Sequence, residues 1–332
     1  MKQRRNLQLA EDAVAYSAAL PPAYFKTDLG GAWLGKAEGF LPRLPDESVN
    51  LIFTSPPYAL HFKKEYGNPD QDEYVDWFLG YASEFRRVLK RDGSLVINLG
   101  GSWQPGHPIR SLCHFEILIA LVREHGFRLA QEFYWYNPAK LPAPAEWVTV
   151  RRIRVKDAVE CLWWLSKTAQ PKADNRRILA PYSEDMKRLL KRGYRAKERP
   201  SGHRITHKFT EQEGSIPPNV LTLGNNDSNG YYLKRCSESG VKPHPARFPV
   251  QMPELFIKFL TDERDLVLDP FAGSCTTGQA AQKLTRRWMC FETHTHYLEG
   301  AKFRFEVDGL EEKEPKNGLP AGPKAKQVEL AL

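Results

Sequence analysis

The residues of this chain that could do chemistry begin with Thr54-Ser55-Pro56-Pro57-Tyr58. Two consecutive prolines stiffen that segment, and a proline has no N–H with which to occupy a carbonyl. A rigid loop offering a serine hydroxyl, a proline carbonyl and a tyrosine ring can grip a planar amine. The amine donates two hydrogen bonds while its ring stacks on the aromatic face. Taken alone, these five residues read equally well as a proline-rich turn. A second candidate is Leu268-Asp269-Pro270-Phe271-Ala272-Gly273-Ser274-Cys275-Thr276-Thr277-Gly278, where an apolar run meets a small-residue turn. Such a turn lets a ligand approach the backbone, and a helix that follows it offers free N–H groups. The segment lacks both the GK[ST] ending of a phosphate loop and the GxGxxG of nicotinamide enzymes. Glu292 ends the run RWMCFE, 19 residues past Gly273. An acidic residue at the end of a following strand can accept hydrogen bonds from both ribose hydroxyls. A glycine turn with an unrelated surface glutamate is the competing reading.

These residues need elements to hold them. Residues 49–55, VNLIFTS, form a short apolar run stopped by Pro56-Pro57, the pattern of a buried strand ending in a loop. Residues 72–89 carry apolar positions at helical spacing, residues 91–93 predict a turn, and SLVINLGG predicts a second strand. Residues 114–125 predict a helix and RLAQEFYWY a strand. After a loosely patterned stretch, PELFIKFLT, DLVLDP, TTGQAAQKL and RWMCFE predict helix, strand, helix and strand. Alternating strands and helices point to an α/β fold with a mainly parallel sheet.

The 332 residues, 41% hydrophobic and 27% charged, are those of a globular protein, and no apolar run approaches the ~20 residues of a membrane helix. The five cysteines (113, 161, 236, 275 and 290) are scattered without CxxC pairs or zinc spacing, so reduced thiols and no metal are expected. Residues 151–208 hold 17 Lys and Arg against 6 Asp and Glu, a surplus of 11 where the whole chain carries +8. Trp163, Trp164, Tyr182, Tyr194, His203 and His207 lie among them. Basic residues for phosphates with interleaved aromatics suit a nucleic-acid surface, and a solvated face is the plain alternative.

The motifs resemble, in combination, the β-class amino DNA methyltransferases of bacterial restriction–modification systems, and within them the PvuII-type N4-cytosine branch. PDESVNLIFTSPPYAL, KKEYGN, YVDWFL, FYWYNPAKLPAPAEW, RIRVKDAV, RPSGH, GSIPPN and HPARFP all follow that pattern, over about residues 24–305. The resemblance implies a Rossmann-like methyltransferase mixed sheet with circularly permuted motif order and an inserted target-recognition domain. It divides the chain into residues 1–136 with the TSPPY motif, a DNA-binding recognition region at 137–243 and residues 244–307 with the cofactor motif, while residues 308–332, rich in Lys, Glu, Pro and Gly, are expected to be a disordered tail. S-adenosylmethionine is the implied cofactor. Ser55, Pro56 and Pro57 form the catalytic loop that binds the target amine, and Tyr58 stacks on a flipped base. Asp269, Phe271, Ala272, Gly273, Ser274 and Thr276 line the cofactor, Glu292 takes its ribose, and His244, Pro245 and Phe248 close the pocket. Serine at position 55, where adenine enzymes usually carry Asp or Asn, favours cytosine N4 over adenine N6.

Two departures stand out. Lys36 replaces an Asp that the family places near the adenine amine, and Cys275 replaces the second glycine of FxGxG, with little loss expected. DNA contacts are expected from Arg152, Arg154 and Lys156, alternating along a strand in RRIRVK, and from His203 and Arg204 in the loop SGHR. Double-stranded DNA is then the partner, in the bacterial cytoplasm at the nucleoid. A cognate restriction endonuclease in the same system is compatible, without direct contact, and monomer and homodimer both stay open. Carbon-5 methylation is excluded by the absence of a Pro-Cys pair. Adenine N6 methylation, an RNA or protein amine substrate, and a non-enzymatic DNA-binding module remain the alternatives. With no His or Glu beside the loop in sequence, the proton released on transfer is expected to pass to water.

Overall fold

The computed structural model describes residues 20–59, 67, 69–192, 213–225 and 230–306. The expected tail at 308–332, His203 and Arg204 lie outside the described residues. The chain divides into two compact units, residues 1–177 with 218–308, and residues 178–217 with 309–332. In the described part of the smaller unit, the helix Glu184–Arg192 carries a Lys187–Glu184 ion pair, and Ala180 bridges to Ser215.

The larger unit is built on one mixed sheet. Its strands are β1 (Phe25–Lys26), β2 (Gly30–Leu34), β3 (Val49–Thr54), β4 (Leu89–Leu99), β5 (Arg128–Tyr136), β6 (Val159–Ser166), β7 (Val220–Thr222), β8 (Leu266–Asp269) and β9 (Arg287–Glu292). Their spatial order is β1-β2-β9-β8-β3-β4-β6-β5-β7. Strands β2, β9, β8, β3 and β4 run parallel, β6 is antiparallel to both β4 and β5, and β7 pairs parallel to β5. Every residue of β3, β8 and β9 is buried, as central strands covered on both faces require. From β3 the chain crosses to β4 on one side, whereas from β8 it crosses to β9 on the other. Because β3 and β8 are neighbours, with Leu51 opposite Val267, the order reverses between them. A crevice opens at the carboxyl ends of two such strands, which is where open α/β sheets bind ligands.

The helical stretch expected at 72–89 is two helices, α1 (Tyr74–Leu79) and α2 (Ala82–Val88), interrupted at Gly80, a poor helix residue. The turn expected at residues 91–93 is a bulge inside β4: Val49 faces Leu89 while Leu51 already faces Ser94. Helices α3 (Cys113–Arg123), α4 (Tyr231–Glu238), α5 (Gln251–Leu260), α6 (Thr276–Lys283) and α7 (Thr295–Lys302) also belong to the larger unit, with a single helical turn at Ala37–Phe40. Residues 137–243 contribute β6 and β7 to the same sheet. Trp163 and Trp164, grouped with the basic residues as nucleic-acid-facing aromatics, are instead core residues of β6, only 2% and 6% exposed. As neighbours in β6 the two rings lie on opposite faces of the sheet, Trp163 against Phe115 and Trp164 against Phe259, and Trp164 Nε1 donates to Ser94 Oγ at 2.9 Å. No helix among the described residues is long and apolar enough to cross a membrane.

Candidate active site

The two sequence motifs meet at the switch point. Thr54, the last residue of β3, donates from Oγ1 to Asp269 Oδ1 (2.7 Å), the last residue of β8. Thr277 Oγ1 donates to Asp269 Oδ2 (2.7 Å) and the Phe271 N–H to Oδ1 (3.1 Å), so one carboxylate ties strand, turn and helix together. Asp269 is 1% exposed, and burial pushes its carboxyl up to about 6 despite these three donors. Ser55 follows Thr54 directly, so the same clamp sets the Ser55–Tyr58 loop against the small-residue turn.

Gly273 has φ +53 and donates its N–H to Glu292 Oε2 (2.9 Å). A Cβ there would stand 3.1 Å from the His244 ring, so glycine serves both the left-handed backbone and the close approach. Glu292 Oε1 accepts from the His294 N–H (2.8 Å), which fixes the carboxylate at the end of β9. His244 Nδ1 lies 2.5 Å from the Ala246 carbonyl and must carry the proton; burial lowers the imidazole to about 4, so the ring is neutral. The Phe271 ring meets Trp77 and the edge of Tyr81, with centroids at 5.5 and 5.1 Å. Ala272 donates its N–H to the Phe291 carbonyl (2.9 Å), and Ser274 Oγ accepts from Arg304 Nη2 (3.1 Å) beside Thr276 Oγ1 (3.3 Å). Phe248 packs on Phe53 of β3 (5.6 Å), and Pro245 is exposed. Cys275 caps α6 in the left-handed region at φ +55, where a side chain costs about 1 kcal/mol that glycine would not. Lys36 is exposed just after β2, next to Gly35, whose N–H donates to the Glu292 carbonyl (2.9 Å).

The Ser55–Tyr58 loop joins a polar network that its sequence neighbourhood does not reveal. Tyr58 donates its hydroxyl to Glu160 Oε2 at 2.8 Å. The Tyr58 oxygen in turn accepts from Asn98 Nδ2 (2.9 Å) and from Ser55 Oγ (3.2 Å). Lys140 Nζ holds the other oxygen, Glu160 Oε1, at 2.8 Å. Burial and the adjacent Glu160 carboxylate push the Tyr58 hydroxyl well above its ordinary range, so it keeps its proton. Gly100 lies against the ring: a Cβ there would overlap Tyr58 Cε2. The expectation that no Glu adjoins the loop is therefore corrected. Asn98 lies near the end of β4 and Glu160 near the start of the antiparallel β6, so both reach the carboxyl end of β3. Glu160 is 102 residues from Tyr58 in the chain, and no local motif marks it.

The basic segment departs from expectation at RRIRVK. It is not a strand: Arg152 has φ +55, and the amides of residues 153 and 154 turn back to the Trp147 carbonyl. Arg152 is exposed, Arg154 is ion-paired with Asp157 (3.1 Å), and Lys156 Nζ donates to the carbonyls of Pro138 and Lys140 (3.2 Å each). Among the described residues, no group of three or more His, Cys, Asp or Glu is placed to hold a metal ion.

Known proteins resemble this chain in sequence and fold. The N6/N4 methyltransferase family model, described as DNA methylase, matches residues 49–303. The type II methyltransferase M.PvuII of Proteus hauseri is 48% identical over 312 residues, 93% of each chain. The solved PvuII DNA methyltransferase (cytosine-N4-specific) is similar at a TM-score of 0.70 and 44% identity, covering 86% of this chain and 89% of that one. The Thermus thermophilus protein TTHA0409, solved in complex with S-adenosyl-L-methionine, shares the fold at a TM-score of 0.52 and 21% identity, over 84% of this chain and 95% of that one.

Proposed function

This chain belongs to the N6/N4 DNA methylase family, and from that premise we propose that it transfers a methyl group from S-adenosylmethionine to the exocyclic N4 amine of cytosine in a short duplex site. Its similarity to a cytosine-N4-specific methyltransferase supports the choice of amine. The observation that carries the reading is the Thr54–Asp269 hydrogen bond, which sets a serine-proline-tyrosine loop beside a glycine turn at the switch point. The cofactor's methionine end would lie along residues 269–276, its ribose on Glu292, and the His244 ring would cover the turn.

An aromatic amine is a weak nucleophile because its lone pair is delocalised into the ring. Drawing its two N–H bonds toward Ser55 Oγ and the Pro56 carbonyl favours a pyramidal nitrogen with the lone pair aimed at the methyl group. Transfer is then an in-line displacement on the sulfonium, helped by positioning and by the same acceptors as N4 becomes positive. Tyr58 would stack on the base, which must leave the duplex at a cost of a few kcal/mol. Residues 137–243 would read the site, with Arg152 among the phosphate contacts. A cognate restriction endonuclease fits a type II relative. A monomer suffices, since the strands of a palindrome can be modified in turn. Digestion of duplex DNA after incubation with labelled cofactor, followed by nucleoside mass spectrometry, tests the reading. N4-methylcytosine is expected, and N6-methyladenine as the main product would overturn the choice of base.

A further inference from the structure

Resting on that reading, the geometry points to a proton relay that runs from the target amine through Ser55 and Tyr58 to the Glu160 carboxylate. The directions of the hydrogen bonds fix its polarity. Tyr58 has a single hydroxyl proton and gives it to Glu160 Oε2 at 2.8 Å. The contact between Ser55 and Tyr58 at 3.2 Å must then use the serine's proton, which leaves a Ser55 lone pair for an incoming N–H beside the long Asn98 Nδ2 contact at 3.5 Å. Because the Glu160 carboxylate can only accept, the opposite polarity would leave Oε2 and the phenol oxygen facing each other at 2.8 Å without a proton, while Asn98 Nδ2 adds a second donor to the phenol oxygen at 2.9 Å. Lys140 occupies Glu160 Oε1, which keeps Oε2 turned to the tyrosine. Every link is in place before a base enters.

The step balances. The N4 lone pair forms the new N–C bond as the S–C bond breaks, and sulfur keeps that electron pair as a thioether. The N-methylated amine, now cationic, releases one proton to Ser55 Oγ. Ser55 passes its own proton to Tyr58, and Tyr58 passes its own to Glu160. The sulfonium's positive charge and the carboxylate's negative charge disappear together, and neutral Glu160 returns its proton to water between turnovers. Glu160 thus acts through the loop as a positioning and proton-accepting group, without touching the base.

Glu160→Gln keeps an acceptor for Tyr58 but removes the charge and the basic oxygen, while Tyr58→Phe keeps the stacking ring but cuts the chain. Each should lower the single-turnover rate by about tenfold or more at unchanged S-adenosylmethionine and DNA affinity. The double variant should be no slower than the slower single one, because both break one relay. The wild-type rate should fall in D2O, and that isotope effect should shrink in both single variants, which a merely structural contact would not cause. A wild-type rate for Glu160→Gln, or losses that multiply in the double variant, would overturn the relay. The wild-type product, read in the same digests, separates the two levels. N6-methyladenine there contradicts the cytosine reading, whereas N4-methylcytosine with an unimpaired Glu160→Gln contradicts the relay alone.

Discussion

Asp269 holds strand, turn and helix together, and the proposed cofactor site would use the same carboxylate. Three donors hold it, yet burial outweighs them and its carboxyl sits near 6. A carboxyl raised in this way is neutral below that value and charged above it, so the proposed cofactor site would gain a negative charge as pH rises through about 6. S-adenosylmethionine carries a sulfonium and an ammonium, so its affinity should rise over the same interval. Asp269→Asn should flatten that profile and weaken binding on its alkaline side. His244 titrates near 4, below this window. Calorimetry across roughly pH 5 to 8 checks it, and a wild-type affinity independent of pH would refute the placement. Glu292→Ala should cost about 1.5–3 kcal/mol of cofactor affinity through loss of a charged ribose acceptor. Tyr58→Ala should instead cut turnover by about a hundredfold or more with cofactor affinity nearly intact, and Ser55→Ala should cut it less, since one acceptor of two remains. An equal loss of affinity in Tyr58→Ala would remove that ring from the target-base pocket.

At the scale of elements, the end of β4 does as much for the loop as β3 does. Gly100 follows β4 with its Cα against the Tyr58 ring, where a Cβ would collide with Cε2. Gly100→Ala should therefore displace the ring and lower the methylation rate while S-adenosylmethionine affinity, set around β8 and β9, stays near wild type. Parallel measurement of both quantities checks this, and an unchanged rate would mean the ring can yield without consequence. Strands β3, β8 and β9 were legible in the sequence because strands buried on both faces read as continuous apolar runs. The loop and turn that follow them were legible for the same reason, each bounded by a clear stop at Pro56 or Gly273. Strand β6 was not: its run VECLWWLS carries Glu160 as its second residue and sits inside the basic stretch, so charge masked the strand. The role of Glu160 could not be read either, because it exists only once β6 lies antiparallel to β4. RRIRVK showed the opposite error, where alternation suggested a strand that the left-handed backbone at Arg152 rules out.

Across the whole molecule, the basic surplus of residues 151–208 is smaller in effect than its count. Lys167 pairs with Glu47 at 3.1 Å, Lys172 with Asp262 and Asp265 at 2.7 Å each, and Arg177 with Asp262 at 2.7 Å, all acids from outside that segment. Arg151, Arg152 and Lys156 are exposed around the π-helical turn Glu146–Val150, with Arg151 over the Trp147 ring. Replacing those three with Gln should reduce the salt dependence of duplex binding by about 0.9 in the log–log slope for each phosphate no longer neutralised. The same change at Lys172 and Arg177 should leave the slope unaltered, and titration by fluorescence anisotropy at several salt concentrations distinguishes the two sets. Equal slopes throughout would make the exposed trio a solvated face. The central claim, that the loop of Ser55, Pro56 and Tyr58 and the turn at Asp269 form one cytosine-N4 methylating site, is tested most directly by modified-base sequencing of DNA from cells that express the protein. N4-methylcytosine at a single short sequence, absent when Tyr58→Ala replaces the wild type, is the predicted result. N6-methyladenine at such a sequence, or N4-methylcytosine that persists in Tyr58→Ala, would contradict it.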